Sequence, residues 1–166
     1  MLKKVSAVIL MALLLNLAGC SEKKEEADAA PAAKVVYGQG FFGEEAGADG
    51  KLAHWMAEEG VIRLRNAGAD MVLKVVGTAP VGQLPQPPTI TVEFNGEQLD
   101  RLTAAPEGLS KEYTIPAAKQ GRGDYSELKI TTSKAFVPKE SVKDSTDDRH
   151  FGFKLTDLVW EAKSSS

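Results

Sequence analysis

The chain has 166 residues and a formal net charge of −3 at neutral pH. An acidic chain has no electrostatic reason to bind nucleic acid or an anionic lipid surface, because phosphate groups repel it. It contains a single cysteine, which excludes an intramolecular disulfide, so the fold depends on its hydrophobic core.

The N-terminal segment has the pattern of a secretory signal peptide. Lys3 and Lys4 precede an almost wholly apolar run at residues 5–17. A membrane-spanning helix needs about 20 apolar residues, and the charged residues at 22–26 prevent an extension of this run. We therefore expect residues 1–19 to be a signal peptide that is removed.

The next feature is the sequence Leu17-Ala18-Gly19-Cys20, which resembles the lipobox of bacterial lipoproteins. The resemblance implies that Cys20 becomes the first mature residue and carries acyl chains, palmitate among them. Three chains would hold the domain durably on a membrane.

Ser21 follows the cysteine where an inner-membrane lipoprotein tends to have aspartate, which favours the outer membrane. We expect the domain in the periplasm, with exposure at the cell surface as the alternative. Another alternative is a secreted protein whose cleavage site happens to precede a cysteine.

A polar segment separates this cysteine from the folded part of the chain. Residues 21–34 consist mainly of Glu, Lys, Ala and Asp and contain no large apolar side chain. Such a composition cannot bury enough apolar surface to fold. We therefore predict that residues 20–34 are a lipidated cysteine with a flexible tether, and that residues 35–166 form one domain.

Short apolar runs separated by Gly, Pro, Asn and Asp follow the tether, and they predict an all-β domain. In the clearest run, Ile90, Val92 and Phe94 share one face, and Asn95-Gly96 follows as a hairpin turn. Other runs also alternate between apolar and polar residues, which is typical of half-buried antiparallel strands. The predicted strands cover residues 35–42, 54–56, 61–65, 71–76, 89–94, 97–102, 111–115, 126–132 and 151–160.

The connection between residues 76 and 89 contains four prolines and predicts a long crossover. Eight or nine strands with one long crossover favour an antiparallel, jelly-roll-like β-sandwich. The alternation fails in the last strand, where Leu158, Val159 and Trp160 are all apolar. This predicts either a bulge near residues 156–157 or a strand end that is buried on both faces.

Enzyme signatures are absent from the sequence. It contains no Gly-x-Ser-x-Gly elbow, no His-Glu-x-x-His helix and no phosphate-binding Gly-rich loop. His54 and His150 are the only histidines, which is little material for a histidine base or a multi-histidine metal site. We expect no catalytic residue, no metal and no cofactor. A hydrolase that uses a pair of carboxylates stays open, since such a pair cannot be recognised without geometry.

The densest polar cluster lies at residues 144–150. Its carboxylates are ligands that calcium prefers, but the glycine and glutamate of an EF-hand loop are missing. An irregular calcium site stays open. We favour a structural ion pair in which Asp147 or Asp148 binds Arg149 through two hydrogen bonds and fixes the loop before the last strand.

The second candidate site is the dipeptide His54-Trp55. Tryptophan faces stack on the apolar faces of sugar rings, and neighbouring imidazole or carboxylate groups bind sugar hydroxyls. Glu44, His54 and Trp55 are therefore candidates for a carbohydrate-binding platform. The alternative is that Trp55 fills one end of the core, as we expect of Trp160.

Five short motifs occur in the order found in the β-sandwich modules attached to bacterial polysaccharide glycosyltransferases. His54 stands where those modules usually have arginine, and Phe151 where they usually have leucine. The resemblance covers residues 37–160 and implies a sandwich fold and an association with glycans, but no activity, because the catalytic domain is absent. The motifs are Phe41-Phe42-Gly43-Glu44, His54-Trp55-Met56, Val92-Glu93-Phe94-Asn95-Gly96, Phe136-Val137-Pro138 and Asp147-Asp148-Arg149-His150-Phe151-Gly152.

Together these patterns predict a membrane-anchored envelope lipoprotein that is not an enzyme. Its β-sandwich would bind a cell-envelope polysaccharide or help to assemble it. Two alternatives stay open: a module that docks on a protein complex of the envelope, and a carboxylate-dependent glycan hydrolase.

Overall fold

A computed structural model of the protein describes residues 34–47 and 50–164. The predicted signal peptide, Cys20 and most of the tether lie outside the described residues. Ten strands, one short helix and two 3-10 turns follow in chain order. They are β1 (Val35–Tyr37), β2 (Phe41–Ala46), β3 (Leu52–Met56), β4 (Glu59–Arg65), β5 (Met71–Thr78), a 3-10 turn (Val81–Gln83), β6 (Thr89–Phe94), β7 (Glu97–Thr103), β8 (Leu109–Ile115), a 3-10 turn (Ala117–Lys119), β9 (Tyr125–Thr132), α1 (Pro138–Ser141) and β10 (Phe153–Ala162).

The strands form two five-stranded antiparallel sheets that pack face to face. Sheet A has the order β1-β4-β9-β6-β7, and sheet B has the order β2-β3-β10-β5-β8. The connection from β5 to β6, which carries the prolines, crosses from sheet B to sheet A. The prediction of an antiparallel β-sandwich is confirmed. None of the helices within the described ranges is long and apolar enough to cross a membrane.

The core lies between the sheets and follows from the alternation in the sequence. Ile90, Val92 and Phe94 are buried, and the intervening threonine and glutamate of β6 are partly exposed. Residues with inward side chains on β5 and β9 alternate in the same way. Trp160 also belongs to the core, and its indole N–H donates a 2.7 Å hydrogen bond to the carbonyl oxygen of Arg65.

Two local predictions are confirmed by the backbone. Asn95 and Gly96 join β6 to β7 with positive φ angles of 49° and 79°, which a tight hairpin turn requires. The pairing of β10 with β5 shifts register between Leu155 and Asp157, so the failed alternation reflects a bulge. The bulge lets Leu158 and Trp160 point to the core, as Phe153 and Leu155 do before it.

The prediction of one strand at residues 35–42 is wrong. The segment forms two strands, β1 in sheet A and β2 in sheet B, separated by a turn at residues 38–40. Gly40 has a φ angle of 83°, and a side chain there would overlap the carbonyl oxygen of Glu59. This close approach lets the chain change sheets, and it adds the tenth strand.

Candidate functional site

A groove with a volume of about 460 Å³ lies on the outer face of sheet B. Ligand pockets typically have volumes of about 300–1,000 Å³. The residues that line it come from β2, β3, β5 and the connections after β5 and β9. We name it the aromatic groove; it is lined by Glu45, Trp55, Thr78, Ala79, Pro80, Gln83, Phe136, Pro138, Asp147 and Phe151.

The position of Trp55 follows from the two-residue period of β3. Successive side chains of a strand point to opposite faces of the sheet. Met56 is fully buried in the core and His54 is buried beside Tyr37 of sheet A, so Trp55 between them points outward. Trp55 is only half-buried and forms part of the groove wall.

Phe151 is the centre of an aromatic cluster at the groove. Its ring meets the ring of Trp55 edge to face at 5.2 Å and the ring of Phe42 at 5.7 Å. Its backbone forms a two-bond antiparallel bridge with Phe136. Phe136 lies near the start of the long connection between β9 and β10, and Phe151 lies near its end. The bridge therefore brings both ends of this connection to the groove.

The carboxylate of Glu45 binds two groups at the groove. It accepts a 3.1 Å hydrogen bond from the indole N–H of Trp55 and a 3.3 Å hydrogen bond from the ammonium group of Lys154. The Lys154 nitrogen also lies 5.5 Å from the centroid of the Trp55 ring. These contacts fix the orientation of the indole and compensate the charge of Glu45.

The second carboxylate of the groove, Asp147, binds Arg149. The guanidinium Nε and Nη2 donate hydrogen bonds of 3.0 and 2.7 Å to the two carboxylate oxygens, and the Arg149 backbone N–H donates another of 3.0 Å. These hydrogen bonds lower the pKa of Asp147 and raise that of Arg149. The guanidinium also lies 4.9 Å from the Phe151 ring centroid. The structure thus pairs Arg149 with Asp147, while Asp148 is exposed.

Residues 149–152, which we name the strap, are held against the turn between β3 and β4. The Gly152 N–H donates a 2.9 Å hydrogen bond to the Met56 carbonyl oxygen. The imidazole of His150 lies 2.6 Å from the Glu58 carboxylate, and this contact raises the pKa of His150. Among the described residues, no three His, Cys, Asp or Glu side chains lie close enough together to hold a metal ion.

The three residues predicted as a carbohydrate platform do not share one surface. His54 is 9% exposed, stacks on Tyr37 at 3.8 Å, and lies 3.8 Å from the carboxylate of Glu44. This pair lies on the opposite face of β3 from Trp55. Glu45 takes the place beside the indole that the sequence interpretation gave to Glu44.

Four residues at the groove were not predicted as site residues from the sequence: Glu45, Phe42, Phe136 and Phe151. The signal for three of them was present, since each aromatic residue belongs to a motif that the sequence shares with the glycosyltransferase-attached modules. Three of those five motifs line the aromatic groove, and the first of the five contacts it through the ring of Phe42, which packs on Phe151. The remaining motif contains the hairpin of β6 and β7 in sheet A.

No protein-family model matches the chain, and no curated protein matches it. Solved structures show a distant likeness. The C-terminal domain of EclA, a sugar-binding protein, is 12% identical with a TM-score of 0.39, and the match covers 84% of this chain and 86% of that one. The carbohydrate-binding module CBM51 from Clostridium perfringens GH95, solved with methyl-galactose, is 15% identical with a TM-score of 0.35 over 74% of this chain and 92% of that one.

A third structure is an acetyl xylan esterase, Est2A, from the rumen bacterium Butyrivibrio proteoclasticus. It is 11% identical with a TM-score of 0.37, and the match covers 81% of this chain. The chain spans only 32% of the length of that esterase. Because all three TM-scores are low, we base the function on the aromatic groove itself.

Proposed function

We propose that the protein is an outer-membrane lipoprotein, attached through acyl chains on Cys20, whose β-sandwich binds a cell-envelope polysaccharide in the aromatic groove. The observation that carries this proposal is the setting of Trp55. The indole is half-buried in an open groove, and hydrogen-bonding side chains lie around it. Carbohydrate sites combine these two features, because sugar rings have apolar faces and polar edges.

The polar groups of the groove are suited to binding hydroxyls. Glu45 and Asp147 each have compensated charge, through Lys154 and Arg149, and Gln83 supplies an amide. In such an ion pair the carboxylate still has lone pairs, and the cation still has N–H groups, that a ligand can bind. No buried charge is left without a partner. A neutral sugar can therefore enter at low electrostatic cost.

The same charges argue against the hydrolase alternative. A glycosidase needs one carboxylic acid whose pKa is raised so that it can protonate the leaving group. The pKa of Asp147 is lowered by its hydrogen bonds with Arg149. Asp147 is therefore suited to accept hydrogen bonds from a ligand and not to protonate a leaving group.

The first test is an NMR titration of the mature chain that carries Cys20→Ser. The ligands are the exopolysaccharide, lipopolysaccharide core and peptidoglycan fragments of the source cell. We expect the indole N–H resonance of Trp55 to shift with one of them. The indole N–H of Trp160 is an internal control, because it is buried and bonded to a backbone carbonyl. If the Trp55 signal does not move with any of the three, carbohydrate binding in this groove is excluded, and docking on an envelope protein becomes the function to test.

A pair of tryptophan variants separates binding from stability. Trp55→Ala should abolish binding and lower stability by less than the about 3–5 kcal/mol expected for truncation of a fully buried tryptophan. Trp160→Phe should keep the affinity for the glycan and lower the melting temperature. Isothermal titration calorimetry and thermal unfolding measure the two effects. Loss of binding only in proportion to loss of folded protein would give Trp55 a purely structural role.

The lipid anchor is tested separately by metabolic labelling. Cells that express the wild-type chain should incorporate radioactive palmitate into it, and the protein should sediment with the outer membrane. In Cys20→Ala the label should be absent and the protein should no longer sediment with the outer membrane. Label that persists in Cys20→Ala would contradict the lipobox interpretation.

A further inference from the structure

A second cavity lies on the same outer face of sheet B. Its volume is about 350 Å³, and it is lined by Gly47, Lys51, Ala53, Lys74, Val76, Ser110, Lys154, Thr156 and Asp157. On β5 the buried side chains alternate with partly exposed ones, so Lys74, Val76 and Thr78 point to the same face. Lys74 and Val76 line this second cavity, and Thr78 lines the aromatic groove. The two cavities therefore follow one another along β5.

Lys154 joins the two cavities. It pairs with Thr78 across the ladder of β10 and β5 and lines the second cavity. Its ammonium group also contacts Glu45 and the ring of Trp55, which both line the aromatic groove. A ligand that stacks on Trp55 thus has the second cavity as its next neighbour.

The second cavity differs from the aromatic groove in its charge and its lack of aromatic rings. Three lysines line it with a single carboxylate, Asp157, and one of the three, Lys154, pairs with Glu45 of the aromatic groove. Lys74 is half-buried and makes no ion pair with any residue that the structure describes. Glu112 lies opposite Lys74 in the ladder of β5 and β8, but it forms no ion pair with it, so the ammonium group of Lys74 can bind an anionic ligand in the cavity.

We propose that the polysaccharide site extends from the aromatic groove into this second cavity, and that the cavity binds a sugar unit carrying a carboxylate, sulfate or phosphate group. This inference rests on the proposed glycan-binding function and adds the chemical class of the glycan. Thr78 and Lys74 are four residues apart on β5, which corresponds to about 13 Å along the strand. The site therefore accommodates more than one sugar unit.

The test compares acidic and neutral glycans that share one backbone. Polygalacturonate is paired with its methyl ester, dextran sulfate with dextran, and phosphomannan with mannan, so that each pair isolates one anionic group. Affinities for the wild-type mature chain are measured by calorimetry at low salt. We expect the acidic member of at least one pair to bind about tenfold more tightly, as one charge-assisted hydrogen bond would provide. This preference should weaken as salt is added.

Charge-matched variants locate the effect. Lys74→Gln should lower the affinity for the acidic glycan much more than the affinity for the neutral one, and so remove most of the preference. Lys119→Gln is the control, because it removes the same charge from a residue that pairs with Glu97 of sheet A and lines neither cavity. The Lys119→Gln chain should keep the wild-type preference.

Two results would overturn the inference. One is that no acidic member binds more tightly than its neutral partner, and the other is that Lys74→Gln and Lys119→Gln reduce the preference equally. If the indole N–H of Trp55 still shifts with a neutral or envelope glycan, only the anionic subsite fails. If it shifts with no glycan at all, the proposed function fails as well.

Discussion

Replacement of Gly152 by alanine tests whether the strap is held as tightly as the structure indicates. A β-carbon at this position would overlap the carbonyl oxygen of Ala57 and lie 2.7 Å from the hydroxyl of Thr132. The backbone cannot yield easily, because the Gly152 N–H is bonded to Met56. Overpacking of this kind costs about 1–3 kcal/mol. For a domain of this size, we expect the melting temperature to fall by about 4–12 °C.

Thermal unfolding followed by circular dichroism and calorimetry measures this change. Gly82→Ala is the matched control, because no atom lies within 4 Å of the added carbon and the backbone has no positive φ. Its stability should stay within about 0.5 kcal/mol of the wild-type value. A melting temperature of Gly152→Ala equal to that of Gly82→Ala would refute the close contact. Because the strap carries Phe151, the Gly152→Ala chain should also bind glycan more weakly at temperatures where it is fully folded.

Three further predictions concern other parts of the domain. In Glu58→Gln, the pKa of His150 should fall towards 6.5 in an NMR titration, because the hydrogen bond and charge of Glu58 hold it higher. The raised pKa of His150 stabilises the fold below pH 6.5, and this stabilisation is lost as the pH rises through the raised value. The difference in melting temperature between the wild type and Glu58→Gln should therefore shrink with increasing pH. Gln120→Ala should cost about 1–3 kcal/mol in urea unfolding, because the buried amide binds the backbone of the turn between β4 and β5. Leu73→Ala should cost about 2–5 kcal/mol, whereas Leu52→Ala, at a residue that is 54% exposed, should change stability by less than about 0.5 kcal/mol.

The parts of the fold that neighbouring residues in the sequence determine could be predicted. The alternation of Ile90, Val92 and Phe94 and the turn residues after them specify a strand and a hairpin without any distant contact. Gly38 and Gly40 mark a turn within residues 35–42, but nothing local assigns the two halves to different sheets, because both are apolar. The division between the sheets depends on the approach of Gly40 to Glu59, which only the folded structure creates.

The site was predictable in part. Period two alone places His54 and Trp55 on opposite faces of a strand, so their separation follows from the sequence once β3 is recognised. The choice between Glu44 and Glu45 does not follow from it. The pairing of β2 with β3 shifts register between Phe41 and Glu44, and this irregularity decides which carboxylate faces the indole.

The two tryptophans show why a structural role does not account for the aromatic groove. Both indole N–H groups have acceptors, but Trp160 donates to a backbone carbonyl inside the core and is 6% exposed. Trp55 donates to the Glu45 side chain, which is 47% exposed, and its ring stays half-buried beside Phe151. A domain selected only for stability would gain by covering this aromatic surface, since each 1 Å² of buried apolar area contributes about 25 cal/mol. A partly exposed aromatic cluster with an oriented indole and compensated charges is instead the arrangement that a ligand with apolar faces and polar edges would complete.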